Sequence, residues 1–145
     1  MWYGEYHHTL DEKYRCILPA KFRDKLKTLE KQKLFITRGL DGCLFLFDED
    51  QWGKMEEKFK ALSFTKHEAR SFNRLYFSGA QEVEIDSQGR IGLSEYLREF
   101  AKVTRDIVVI GVGDRIEIWG KQQWDVFYKE HRERFEQIAE NLFEG

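Results

Sequence analysis

Two aspartate–arginine pairs are the residues of this sequence best suited to molecular recognition. Asp11 precedes Arg15 by four residues, and Asp86 precedes Arg90 by the same spacing. The planar guanidinium group of arginine suits carboxylates, phosphate oxygens and the major-groove edge of guanine. An exposed pair that only closes a turn contributes about 0–1 kcal/mol to stability. A pair that contributes so little to stability could differ between the two copies, yet both copies have it although their flanking residues differ. We therefore interpret the pairs as a repeated recognition motif.

The pairs belong to a longer internal repeat. Residues 10–26, LDEKYRCILPAKFRDKL, return 75 positions later as residues 85–101, IDSQGRIGLSEYLREFA. Downstream the spacing becomes 72 positions, and the matching segments are FITRG with IVVIG, LFLF with IEIW, and Trp52 with Trp124. Two copies of about 50 residues are too few for a solenoid. The repeat therefore predicts a duplicated domain with pseudo-twofold symmetry.

The composition is that of a small folded domain. Of the 145 residues, 41% are hydrophobic and 15% aromatic, which is enough for one compact core or two closely packed halves. The longest apolar run, residues 107–112, is far shorter than the roughly 18 residues of a membrane span. The N-terminus lacks the regions of a signal peptide, and Cys16 and Cys43 form no C-x-x-C motif. We expect a reducing, cytoplasmic setting, two cysteines that pack as small apolar residues, and no membrane partner.

The spacing of apolar residues predicts the same order of elements in each copy. Strand patterns cover residues 5–11, 15–18, 34–37 and 44–47, and then 82–86, 90–93, 106–112 and 115–119. A short helix is expected to begin at Pro19 and bury Phe22, Leu26 and Leu29, and its equivalent begins at Ser94. Capping-box patterns at residues 48–51 and 65–68 predict a helix through Trp52 and Phe59 and a connecting helix over residues 66–76.

The last predicted helix, residues 121–142, has an apolar seam. Its spacing of 4-3-4-3-4 is typical of a helix that packs along a partner helix, and its members are Trp124, Tyr128, His131, Phe135, Ile138 and Leu142. We expect Trp124 and Tyr128 to pack on the helix that contains Trp52 and Phe59. The distal end is expected to meet a neighbouring subunit, so the chain should self-associate.

The residues between each aspartate and arginine predict a tight turn. Ser87, Gln88 and Gly89 fit a three-residue hairpin loop with the glycine in the left-handed region, which places Asp86 opposite Arg90 at the exposed mouth. Tyr14 stands at the corresponding position of the first copy, where a left-handed non-glycine residue costs about 1 kcal/mol. Either the first turn has a different shape, or Tyr14 accepts the strain and presents its ring on the binding face.

These residues resemble the MraZ family. The pattern L-D-x-x-x-R-x-x-L-P-x-x-x-R occurs at residues 10–23 and returns at residues 85–98 with Ile85 and Ser94 in place of leucine and proline. MraZ proteins are bacterial transcriptional regulators related to the AbrB/SpoVT swapped-hairpin DNA-binding domains. The resemblance spans essentially the whole chain. It implies an α+β fold of duplicated AbrB/SpoVT-like β-α-β-β half-domains at residues 1–60 and 81–145, joined by a connecting helix at 61–80 and ended by a long C-terminal helix.

The resemblance also implies a function. It predicts a ring-shaped homo-oligomer that binds direct repeats in double-stranded promoter DNA upstream of the division and cell-wall gene cluster containing its own gene. The expected effect is repression by a cytoplasmic, nucleoid-associated protein. Carry-over of the motif, together with the neighbouring aromatic and basic residues, gives the candidate DNA-binding residues Asp11, Lys13, Tyr14, Arg15, Lys21, Arg23, Asp86 and Arg90.

Charge predicts that the first copy dominates DNA contact. Residues 1–40 contain nine Lys/Arg and five Asp/Glu, a balance of +4, whereas the remainder has fifteen and twenty-one, a balance of −6. The basic part includes the first motif, which favours a positive surface around Arg15. Glu95 and Glu99 lie close in sequence to Arg90 and Arg98, so the second copy is expected to serve more as a scaffold. A solvated helix face is the simpler explanation of the charge excess.

An enzyme and a protein-interaction scaffold are the two other classes of function. No H-E-x-x-H, P-loop, G-x-S-x-G or G-x-G-x-x-G motif is present, and His7 and His8 point to opposite faces of one strand, so they cannot easily share a metal. We therefore expect no enzyme, no cofactor, no metal and no small-molecule substrate. The alternative function is a protein-interaction or antitoxin-like scaffold that does not read DNA, although its aromatic residues fall at positions typical of a core.

Overall fold

The computed structural model describes residues 1–30 and 33–144. The strands within these ranges are β1 (Trp2–Thr9), β2 (Arg15–Ile17), β3 (Lys33–Arg38), β4 (Leu44–Asp48), β5 (Gln81–Glu84), β6 (Arg90–Gly92), β7 (Asp106–Gly113) and β8 (Ile116–Gly120). The helices are α1 (Ala20–Thr28), α2 (Glu49–Lys60), α3 (His67–Gly79), α4 (Glu95–Phe100), α5 (Lys121–His131) and α6 (Phe135–Phe143). The predicted α+β class and the duplicated order of elements are confirmed.

The two copies exchange strands. A six-stranded antiparallel sheet has the order β1-β7-β8-β4-β3-β5, and β2 and β6 form a separate two-stranded ribbon. Strand β1 of the first copy pairs with β7 of the second, and β5 of the second pairs with β3 of the first. The equivalent strands pair with each other in β4–β8 and β2–β6. The copies therefore form one intertwined unit that neither could form alone.

The predicted pairing within each hairpin is wrong. The sequence pattern places β5 beside β6 across a tight turn, and the turn is present, but the strands that follow it diverge. After the turn, β6 pairs with β2 of the other copy, while β5 joins the six-stranded sheet. Alternation of side chains is the same for either partner, so the sequence pattern could not distinguish a local hairpin from exchanged strands.

The six-stranded sheet has an apolar layer on each face. Strand β4 shows the division, because Leu44 and Leu46 lie in the core beneath the ribbon, α1 and α4, whereas Phe45 and Phe47 lie in the core beneath α2, α3 and α5. The second layer is rich in stacked rings, and the Trp52 ring stacks on Phe35 at 5.0 Å and on Tyr76 at 5.4 Å between centroids. The ribbon is thus fixed to one face of a sheet that is buried on both sides.

Both cysteines pack in the core. Cys16 and Cys43 are free thiols with no exposed surface. Burial raises the pKa of the Cys16 thiol to about 12, which keeps it protonated and unreactive near neutral pH. The prediction that the two residues pack as small apolar side chains is confirmed.

The first helix begins and ends close to its predicted limits. Phe22 and Leu26 are buried on α1, as predicted, but Leu29 follows the last helical turn and is 47% exposed. Pro19 occupies the N-cap position, with φ of −53° and ψ of 142°, rather than the first helical position.

Only one of the two predicted capping boxes caps a helix. Asp48 caps α2, because its Oδ1 accepts a hydrogen bond from the backbone N–H of Gln51 at 2.9 Å. At α3 the N-cap is Lys66, and the Thr65 hydroxyl instead bonds to Ser63 at 2.7 Å, so the second prediction is wrong. Helix α4 does begin after Ser94, but without a hydrogen bond from the serine side chain.

The predicted C-terminal helix is interrupted. A 3-10 turn, Arg132–Arg134, separates α5 from α6. The Trp124 ring lies 5.4 Å from Trp119 of β8 and 5.6 Å from Phe127. Trp124 therefore packs on the sheet, and the prediction that it packs on α2 is wrong. Tyr128 is 50% exposed. Among the described helices, none is long and apolar enough to cross a membrane.

Candidate nucleic-acid interface

The two aspartate–arginine motifs form turns of the same geometry, called here the first turn (residues 11–15) and the second turn (residues 86–90). In the first turn the backbone N–H of Asp11 donates to the Arg15 carbonyl at 3.1 Å, and that of Tyr14 donates to the Asp11 carbonyl at 2.9 Å. The two corresponding bonds of the second turn are both 3.0 Å long. Tyr14 has φ of 58° and Gly89 has φ of 79°. Tyr14 therefore adopts the left-handed conformation, which settles the shape of the first turn.

Each motif aspartate holds its own turn together. Oδ1 of Asp11 accepts the backbone N–H groups of Lys13 and Arg15, both at 2.9 Å, and Oδ2 accepts Nε of Arg15 at 2.7 Å. Its own motif thus occupies three of the roughly four acceptor sites of the carboxylate. An aspartate in this position orients the arginine and has little capacity left to bind DNA itself.

The second turn repeats this network. Oδ1 of Asp86 accepts the backbone N–H groups of Gln88 at 2.8 Å and Arg90 at 2.9 Å, and Oδ2 accepts Nε of Arg90 at 2.8 Å. In each turn the aspartate therefore faces its own arginine, as the sequence spacing predicted for the second copy.

The two turns adjoin on one surface. Nη1 of Arg90 lies 3.6 Å from Oδ2 of Asp11, so the carboxylate of the first turn is near the arginines of both turns. The side chains of Arg15 and Arg90 are 32% and 23% exposed. The β2–β6 ribbon brings them together, since Arg15 pairs with Gly92 and Arg90 with Ile17 across only three residues.

Strand exchange places the basic residues of α1 at the second turn. The backbone N–H of Leu18 donates to the Gly89 carbonyl at 2.9 Å, and Nε of Arg23 donates to the Leu18 carbonyl at 3.0 Å. A Cβ at Gly89 would lie only 2.2 Å from Cδ of Arg23. Arg23 therefore packs on the second turn, where it lines an open cleft with Lys27 and Asp86. The sequence grouped Arg23 with the first motif, and the structure shows that it also packs on the turn of the second.

Two arginines of the second copy cover the first turn. Nε of Arg98 donates to the Leu93 carbonyl at 3.0 Å, and its guanidinium lies 3.6 Å from the centre of the Tyr14 ring. The Arg105 guanidinium lies 4.6 Å from the same ring, and its Nη1 donates to the Asp11 carbonyl at 2.6 Å. The sequence reasoning missed both residues. The recurrence of Arg23 as Arg98 was the signal for one of them, whereas Arg105 has no counterpart in the repeat.

This placement distributes the basic side chains over both turns. The exposed Lys13 lies on the first turn, and Lys21 is exposed on α1. Glu95 and Glu99 line a cleft together with Arg98, which covers the first turn. Each turn thus has its own arginine and further basic residues from the other copy.

One family model matches nearly the whole chain. Its description is "MraZ protein, putative antitoxin-like", and it matches residues 1–75 and again residues 76–144. The chain belongs to the MraZ family. The identification made from the repeated motif is confirmed, and it places the chain in a regulator-type, non-enzymatic family. Within the part of the chain that the structure describes, no group of three or more His, Cys, Asp or Glu side chains could hold a metal ion.

Hydrogen bonds lower the pKa of both motif aspartates. The pKa of Asp11 lies below its usual range mainly because the backbone N–H of Arg15 donates to the carboxylate, and the Arg15 side chain adds to the effect. The pKa of Asp86 is lowered in the same way, first by the backbone N–H of Arg90 and then by its side chain. In this MraZ-family chain the hydrogen bonds of the turns therefore favour the ionised form of both aspartates.

We expect the turns to lose stability in acid. A carboxylate with a lowered pKa in the folded state contributes stability that is fully present above its unfolded pKa, about 3.9. That contribution disappears as the pH falls through the lower folded pKa. Asp11→Asn and Asp86→Asn should each flatten the fall in unfolding free energy between pH 5 and pH 2, measured by urea denaturation. A slope equal to that of the wild type in both variants would contradict this role.

We expect Tyr14 to balance strain against ring contacts. Tyr14→Gly relieves about 1 kcal/mol of left-handed strain but removes a ring between two guanidinium groups, each such contact contributing about 0.5–1 kcal/mol. The two effects should cancel to within about 1 kcal/mol. Tyr14→Leu keeps the strain without the ring and should destabilise by about 1–2 kcal/mol. Urea denaturation compares the two variants, and a Leu variant as stable as the Gly variant would contradict the assignment.

Proposed function

We propose that this chain is a sequence-specific transcriptional regulator that reads double-stranded promoter DNA through its two turns. In the proposal several copies form a ring, bind direct repeats upstream of the division and cell-wall gene cluster that includes the chain's own gene, and repress it. The observation that supports this most is the convergence of both motif arginines on one surface. Nη1 of Arg90 lies 3.6 Å from the carboxylate that anchors Arg15.

The ribbon has dimensions that suit a DNA groove. Cys16 and Ile91 face the core, so Arg15 and Arg90 face outward on the same side of β2 and β6. Two residues of strand separate them along the ribbon, about 7 Å at 3.3 Å per residue. A two-stranded ribbon can enter the major groove, which is about 12 Å wide. Both arginines would then reach one groove together.

The hydrogen bonds of the turns prepare the arginines for binding. Each motif arginine is anchored through Nε, and arginine carries four more N–H donors on Nη1 and Nη2. These donors suit a phosphate oxygen or the O6 and N7 atoms of guanine. The Tyr14 ring holds Arg98 and Arg105 beside the first turn, where they can neutralise phosphates. Side chains that are already oriented lose less entropy on binding.

A salt titration tests this function. Binding to DNA from immediately upstream of the gene should weaken steeply with salt, and Arg98→Ala or Arg105→Ala should each reduce the slope of log K against log salt by about 1. Arg74→Ala is the matched control, because Arg74 is exposed on α3 at the opposite face of the sheet. A protein-interaction scaffold, the second candidate, agrees with the antitoxin-like family description. Such a scaffold predicts either no binding to this DNA or binding whose log K does not change with log salt.

A further inference from the structure

The two turns share one backbone geometry but carry different side chains at their tips. The third residue of the first turn is Lys13 and that of the second turn is Gln88, and both are exposed. The backbone N–H of each donates to the aspartate of its own turn, at 2.9 Å for Lys13 and 2.8 Å for Gln88. The second residues differ as well, since Glu12 precedes Lys13 and Ser87 precedes Gln88. Equivalent and fixed backbone positions thus present different chemical groups.

The ribbon relates the two turns by a local twofold rotation. Cys16 and Ile91, which are equivalent residues of the internal repeat, pair with each other at its centre. The pairs on either side, which this rotation exchanges, are Arg15 with Gly92 and Ile17 with Arg90. A protein element with twofold symmetry and identical ends reads a palindromic DNA site. The difference between Lys13 and Gln88 breaks that symmetry at the tips.

The side chain of Gln88 matches one base edge in the major groove. Its amide has both a donor group and an acceptor oxygen. Adenine presents an N7 acceptor beside an N6 donor, and a glutamine amide can bond both atoms at once. Guanine presents two acceptors, N7 and O6, so the amide oxygen would face another acceptor there.

The side chain of Lys13 has the opposite preference. Its ammonium group carries three donors and no acceptor. It can donate to N7 and O6 of guanine, but it cannot accept a hydrogen bond from the N6 donor of adenine. Each tip residue lies two positions before its motif arginine, so the tip and the arginine of one turn can contact neighbouring bases.

We propose that Gln88 selects adenine and that Lys13 selects guanine, so that the two turns of one chain read different bases at symmetry-related positions. These base preferences rest on the proposed reading of DNA by the turns. A site whose two ends differ has a direction along the DNA. Several chains bound in one orientation therefore need direct repeats and not palindromes, which agrees with the repeats in the proposed function.

Selection from random DNA tests the two preferences without a known operator. Double-stranded DNA of random sequence is bound to the full chain, recovered and sequenced for the wild type, Gln88→Lys and Lys13→Gln. The wild type should select adenine at the position of the second turn and guanine at the symmetry-related position. Gln88→Lys should select guanine at both positions, and Lys13→Gln should select adenine at both.

Anisotropy with two selected duplexes that differ only in the second-turn base gives the size of the effect. We expect the wild type to prefer adenine over guanine by about fivefold to a hundredfold, and Gln88→Lys to reverse the preference. Each exchange keeps the backbone N–H that bonds the aspartate, so the turns should fold as in the wild type. Gln137→Lys is the matched control, because it makes the same change at an exposed residue of α6, and it should select the wild-type bases.

The outcomes separate the base preferences from the proposed function. A wild type that selects one sequence, together with a Gln88→Lys protein that selects the same bases, would overturn the preferences and leave DNA reading by the turns intact. A wild type that selects no sequence would overturn both. Gln88→Ala is a second variant that adds no charge, and it should accept all four bases at the second-turn position. Continued selection of adenine by that variant would also overturn the role of Gln88.

Discussion

Arg15→Ala and Arg90→Ala should each weaken binding to the upstream DNA by about tenfold to a hundredfold per turn. A contact from one arginine to a base edge contributes about 1–3 kcal/mol of discrimination, and 1.4 kcal/mol corresponds to a factor of ten. Several subunits bound to successive repeats would each lose that amount, so the affinity of the assembly should fall much further. Fluorescence anisotropy with labelled upstream DNA measures the loss.

From the structure we also expect Arg15→Ala and Arg90→Ala to lose similar amounts of DNA affinity. The sequence predicted a weaker effect at Arg90, but Arg23 packs on the second turn and the Glu95 and Glu99 side chains lie beside Arg98. Arg74→Ala, melting temperature and light-scattering mass serve as controls. A tenfold larger effect at one turn would contradict the shared interface. Undiminished binding by both variants, with wild-type melting and mass, would contradict the role of the turns in reading DNA.

Of the single substitutions proposed for this chain, Ile91→Ala should lower the free energy of unfolding most. Ile91 is 1% exposed and lies opposite Cys16 in the middle of the ribbon. Truncating a buried isoleucine to alanine costs about 2–5 kcal/mol, and in a domain of this size each kcal/mol lowers the melting temperature by about 2–4 °C. DNA binding should fall as well, because one ribbon positions both turns. Calorimetry and the anisotropy titration follow the two effects.

Leu40→Ala provides the reference for Ile91→Ala. Leu40 is 60% exposed outside the ribbon, so its truncation should change stability by no more than about 0.5 kcal/mol. Similar melting temperatures for the two variants would show that the buried side of the ribbon does not hold the turns in place.

Local features of the fold were predictable because they depend on local chemistry. Alternation of apolar residues places Cys16 and Leu18 in the core, and both are buried. Asp48 predicts the start of α2 because its side chain bonds a backbone N–H three residues on. The spacing of aspartate, glycine and arginine likewise predicts the second turn, because few residues other than glycine adopt positive φ without strain.

Long-range pairing was not predictable from the same patterns. A strand shows which of its faces is buried but not which strand lies beside it, so the exchange of β2 and β6 left no local mark. The neighbours of each turn depend on that exchange. Arg98 lies 84 positions beyond Tyr14 and Arg105 lies 94 positions beyond Asp11, so the local sequence pattern did not identify either contact.

The C-terminal seam shows a different limit. An apolar spacing of 4-3-4-3-4 predicted one long helix, but the structure has a 3-10 turn between α5 and α6. The same apolar spacing cannot tell a helix that packs on a sheet from one that packs on a helix. Trp124 packs on Trp119 of β8, whereas Leu142 remains 71% exposed.

The most direct test of DNA reading by the two turns is a competition between two DNA fragments. One is the labelled fragment from immediately upstream of the gene, and the other has the same composition with its direct repeats shuffled. We expect the wild type to bind the intact fragment at least a thousandfold more tightly at physiological salt, on the order of the usual specific ratio. The double variant Arg15→Ala/Arg90→Ala should bind both fragments equally weakly. Equal affinity of the wild type for the two fragments would contradict the account.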